Sequence, residues 1–82
     1  MKKKSKFIEI ANDPDFSIKN IEMENLTVYF TPEELGILIE FEPNGEDTDI
    51  LLENMLHYCE KNELYEYCQV IFDEMTGRKI SV

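Results

Sequence analysis

Residues 26–41 read Leu26-Thr27-Val28-Tyr29-Phe30-Thr31-Pro32-Glu33-Glu34-Leu35-Gly36-Ile37-Leu38-Ile39-Glu40-Phe41, and strand and helix compete for both halves of this run. The branched and aromatic residues of 26–30 suit a pleated, half-buried surface. Beyond them Leu35, Ile37, Ile39 and Phe41 alternate with Gly36, Leu38, Glu40 and Glu42, a period of two. Wound as a helix, the same residues spread apolar groups almost all round the axis and place a glycine inside it. Thr31-Pro32-Glu33-Glu34 suits either a helix start, with Thr31 as N-cap and proline at the first position, or a tight turn with proline second. The alternation favours a hairpin, 26–30 pairing with 36–42.

Upstream, residues 1–6 read as a basic arm, Phe7 to Ala11 as a short strand, Asn12-Asp13-Pro14-Asp15 as a turn, and Ile18 to Met23 as weakly strand-like. Downstream, Pro43-Asn44-Gly45-Glu46-Asp47 ends the hairpin, and Asp47 or Thr48 caps a helix running to about Asn62. Leu51, Leu52, Met55, Leu56, Tyr58 and Cys59 form one face of that helix, while Asp49, Glu53 and Glu60 fall within roughly 40° of one another on another side. A second helix, Leu64 to Met75, turns Leu64, Tyr67, Cys68, Ile71, Phe72 and Met75 to the core and leaves Glu66, Gln69 and Asp73 opposite. Tyr65 and Val70 lie off that core face and are the candidates for an exposed contact. Gly77 serves as the stop, and Ile80-Ser81-Val82 adds a short edge strand. The expected fold class is α+β: a small antiparallel sheet, made of the N-terminal strand and a hairpin at about 26–42, packed by two C-terminal helices at about 48–61 and 63–76. A single small acidic domain, 7–82, follows the arm.

Charge restricts the partners more than any motif does. The net charge of the 82 residues is −10, and four of the eight basic side chains, Lys2, Lys3, Lys4 and Lys6, stand in the first six positions. Residues 7–82 then hold four basic and 18 acidic side chains, a net −14. Between Lys19 and Lys61, 41 residues carry eleven acids and no lysine or arginine. Such a surface is repelled by nucleic acid and by anionic membranes, so basic protein surfaces and cations are the expected partners. The longest uncharged apolar stretch of the body, Leu35 to Ile39, falls far short of the roughly 20 residues of a spanning helix, and charges interrupt the residues after the lysine run where a signal peptide needs an apolar core. Two cysteines, Cys59 and Cys68, are too few for a disulfide framework and fit a reducing, cytoplasmic setting.

Chemistry-bearing constellations are sparse. His57, Cys59 and Cys68 offer at best three soft ligands, where a structural zinc site needs four in close pairs, so no metal and no cofactor are expected. His57 is the only histidine and stands two residues from a cysteine that points elsewhere on a helix, which leaves no nucleophile with a base beside it. Three glycines in the whole chain provide no phosphate loop. Asp47-Thr48-Asp49 after Asn44-Gly45 lacks the alternating oxygen ligands of a calcium loop. The chain is therefore expected to bind and not to catalyse.

Two binding functions follow. Glu40, Glu42, Glu46, Asp47, Asp49, Glu53 and Glu60 form one expected negative patch around the hairpin end and the first helix. A patch of that kind competes with phosphates for lysine and arginine, as expected of an inhibitor that occupies the basic, nucleic-acid-binding surface of a target protein. In size and charge the chain is similar to phage-encoded nucleic-acid mimics, including anti-CRISPR and anti-restriction proteins. Separately, Leu26 to Phe30, Glu33-Glu34-Leu35, and Tyr58-Cys59-Glu60-Lys61 followed by Leu64 resemble the death-fold-like effector-associated domains of bacterial defence proteins. That resemblance implies a helical fold and an adaptor or self-association role.

Overall fold

Thr31 resolves the competition within 26–41. In the computed structural model, which describes residues 12–79, the Glu34 amide donates to Thr31 Oγ1 at 3.1 Å and the Thr31 amide donates to Glu34 Oε1 at 3.0 Å. This reciprocal capping box, with Pro32 at the first helical position, satisfies two amides that a helix start otherwise leaves unpaired. Among the described residues there are four helices, α1 (Met23–Tyr29), α2 (Pro32–Glu40), α3 (Glu46–Lys61) and α4 (Tyr65–Gly77), preceded by a 3-10 turn, Ile18–Asn20. Among the described residues there is no strand. The expected α+β class, with its hairpin at about 26–42, is corrected to an all-helical fold. The expected arm at 1–6 and the strands at Phe7 to Ala11 and Ile80 to Val82 lie outside the described residues.

Burial shows why the period of two misled. Leu35, Leu38 and Ile39 are buried at helical spacing, whereas Ile37 and Phe41, which the alternation grouped with them, are 42% and 70% exposed. Gly36, the residue that argued against a helix, is what allows this one to pack. A Cβ at that position would stand 2.9 Å from Val70 Cγ1 of α4, so glycine permits a close α2–α4 approach. Val70, expected as an exposed contact, instead forms part of this interface. In α1 the branched residues give way to packing: Leu26, together with Phe30 just past the helix end, is buried, with Met23 partly buried beside them. The orphan carbonyls at the end of α1 are met by the Tyr67 hydroxyl of α4, 3.1 Å from Thr27 O and 2.5 Å from Phe30 O.

The most extensive helix contacts join α4 to α3 on one side and to α2 on the other. Leu52, Met55, Leu56 and Cys59 of α3 and Ile71 and Met75 of α4 meet Leu35, Leu38 and Ile39 in one core. The expected positions of the last two helices agree with α3 and α4 to within about two residues at each end. The α3–α4 corner is a Schellman turn, in which the Leu64 amide donates to Cys59 O at 2.8 Å and the Glu63 amide to Glu60 O at 3.2 Å. Glu63 occupies the left-handed position of that turn at φ 59°. Gly77, expected as the stop, is the last residue of α4, and Lys79 at φ 61° takes the left-handed position beyond it.

Candidate acidic groove

The predicted acids separate into four environments. Asp49, Glu53 and Glu60 share one flank of α3, with Glu46 at the head of the same flank, whereas Asp47 is turned about 100° from Glu46. Glu53 and Glu60 are exposed and Asp49 is half-buried. Glu40, at the end of α2, meets Glu74 of α4. Glu74 is pushed above the ordinary glutamate value first by burial, then by the Glu40 charge and a hydrogen bond with its carboxyl, against an opposing pull from Arg78. Glu42 is a correction to the expected surface patch: it is buried, 8% exposed, and its carboxylate accepts from Ser17 Oγ at 3.1 Å and from the Ile18 amide at 3.4 Å. It holds the 3-10 turn against α2 and leaves no face for a partner.

Arg78 locks the same corner from the other side. Its guanidinium donates to Ile39 O at 2.7 Å, Glu42 O at 2.8 Å and Asn44 Oδ1 at 2.7 Å, closing the end of α2 onto the end of α4. Ile39 O, which also accepts from the Glu42 amide at 2.9 Å, and Glu42 O lie near the negative end of α2, where a cation is favoured.

Between α3 and α4 runs a cleft of about 420 Å3 lined by Leu56, Glu60, Tyr65, Cys68, Gln69 and Phe72. A second hollow of about 280 Å3 continues past Leu56 to Glu53, His57 and Met75. Glu53 and Glu60 of the acid flank therefore rim an apolar floor, with Tyr65 66% and Phe72 45% exposed on the opposite wall. Among the described residues, no lysine or arginine nitrogen reaches ion-pair distance of Glu53 or Glu60, while His57 Nδ1 lies 3.9 Å from Glu60 Oε1. Sequence reasoning anticipated the acid flank and the exposure of Tyr65. It assigned Phe72 wholly to the core, although its position at the edge of the apolar arc, beside Gln69 of the polar arc, was the available signal.

Nucleophilic chemistry is poorly served. Burial, and secondarily Cys68, push the Cys59 thiol up to about 11, and burial followed by the Glu60 charge raises Cys68. Neither thiol is a thiolate near neutrality, and thiolate is the reactive form. Among the described residues no three histidine, cysteine or acidic side chains are grouped to hold a metal ion. Among the same residues, no helix is long and apolar enough to cross a membrane.

Comparison of the chain with protein-family models, with curated proteins and with solved structures finds no match.

Proposed function

We propose that the chain is a non-enzymatic protein-interaction domain, an adaptor of the kind its resemblance to death-fold-like effector-associated domains implies, which engages a basic surface on its partner. The observation that carries this reading is the helical course of residues 23–40, because the resemblance requires helices where the alternation had favoured a hairpin. The residues of the resemblance all fall at helix ends. Leu26 to Phe30 close α1, Glu33-Glu34-Leu35 stand in the first turns of α2, and Tyr58-Cys59-Glu60-Lys61 with Leu64 build the α3–α4 corner. An adaptor needs a well-defined surface and no catalytic group, which suits a chain whose thiols are held protonated.

The inhibitor reading retains one specific support, the Asp49–Glu53–Glu60 flank, whose charge suits a basic nucleic-acid-binding site. One experiment separates the two. The immobilised chain is exposed to lysate of a relevant host, washed at low and at high salt, and then challenged with duplex DNA. An adaptor retains a discrete basic partner that salt releases and DNA does not. A nucleic-acid mimic loses its partner to DNA at equal salt. A chain that retains no partner at low salt contradicts both.

A further inference from the structure

We infer that the α3–α4 groove is the docking site for a lysine- or arginine-rich amphipathic helix bearing a large apolar anchor. This inference rests on the adaptor reading and names its partner chemistry. Leu56 and Cys68 supply an apolar floor, Tyr65 and Phe72 an exposed aromatic wall, and Glu53 and Glu60 an acidic rim. The spacing of the rim limits the occupant. Glu53 and Glu60 are two helical turns apart, about 10.5 Å along α3. A partner helix lying along the groove presents cations at the same interval when lysine or arginine recurs every seven residues or so, and its intervening apolar residues then face the floor.

Charge argues against a second copy as the occupant. The described residues hold four basic and 17 acidic side chains, so two such faces brought together repel. A basic helix instead restores the charge that the rim lacks, and it covers Tyr65 and Phe72 at the same time. Neither the rim nor the aromatic wall alone requires this partner, but together they select a ligand with both properties.

The test uses the full chain and two synthetic peptides of identical composition, both of lysine, leucine and one tryptophan. One places lysines two turns apart on one face of a helix, and the other is scrambled. The ordered peptide is expected to bind at least about tenfold more tightly, equivalent to 1.4 kcal/mol, by tryptophan fluorescence. Backbone amide shifts on binding are expected to centre on Leu56 and Cys68. Glu53→Lys with Glu60→Lys, and separately Tyr65→Ala, are each expected to lower the affinity by about the same factor without lowering the thermal melting, all three side chains being exposed. Equal binding of the scrambled peptide, or shifts centred away from the groove, would overturn the inference. That result leaves the adaptor reading intact, which fails if the chain retains no partner from host lysate at low salt or loses its partner to duplex DNA at equal salt.

Discussion

Glu63 shows how one residue carries strain for the sake of a corner. At φ 59° a side chain with a Cβ crowds the backbone, at about 1–2 kcal/mol relative to an ordinary conformation. Glu63→Gly relieves that crowding but adds freedom to the unfolded chain, so a net stabilisation of about 0.5–1 kcal/mol is expected in urea unfolding. Glu63→Gln keeps the crowding and removes the charge, and it should recover less than half of that effect if the backbone is the cause. The corner was legible in outline, since the apolar arcs of the two helices stop on either side of Asn62. Its geometry was not, because nothing marks a glutamate as the left-handed residue. Glu42 and Arg78 were equally hidden. The hydrogen bond from the Arg78 guanidinium to Glu42 O spans 36 residues, and in sequence each side chain resembles an ordinary surface charge.

Among the elements, α2 is the one where local and global signals conflicted. The Thr31-Pro32-Glu33-Glu34 start is a strong local instruction, but the alternation after it and the glycine within it pointed to a strand. Packing on α4 decided the outcome: Gly36 faces Val70, and the buried residues follow a helical period. This yields a change of sign that can be measured. Gly36→Ala alone is expected to destabilise, since its Cβ meets a stiff branched side chain at 2.9 Å. In a Val70→Ala background the same change should stabilise by about 0.5–1 kcal/mol, the ordinary preference of a helix interior for alanine over glycine. Equal effects in the two backgrounds would show that the two helices do not approach as described. By contrast α3 and α4 were legible from their 3.6-residue apolar arcs, since neither carries a competing period.

For the whole molecule the excess of acids opposes compactness, and Glu40 with Glu74 is the place where it is felt across two helices. The folded pKa of Glu74 lies above its ordinary value, so the folded chain holds that proton more tightly than the unfolded chain does. The stabilisation is complete at pH values below the unfolded range and is lost as pH rises through the folded value, above which the Glu74 charge faces that of Glu40 and opposes the fold. Glu40→Gln is therefore expected to raise the melting temperature at pH 7, with the advantage shrinking as pH falls toward about 4. Added salt should reduce the same advantage by screening. The acidic character of the surface was evident from composition. Its division into a buried strut at Glu42, a carboxyl pair at Glu40 and a groove rim at Glu53 and Glu60 was not, because each depends on which helices meet. Fold and proposed function both rest on the helical course of residues 23–40, and backbone Cα chemical shifts of the labelled chain test it most directly. Helical shifts through Met23–Tyr29 and Pro32–Glu40, broken at Phe30 and Thr31, are the expected result. Extended shifts through 26–30 and 36–42, the pattern of a hairpin, would contradict it.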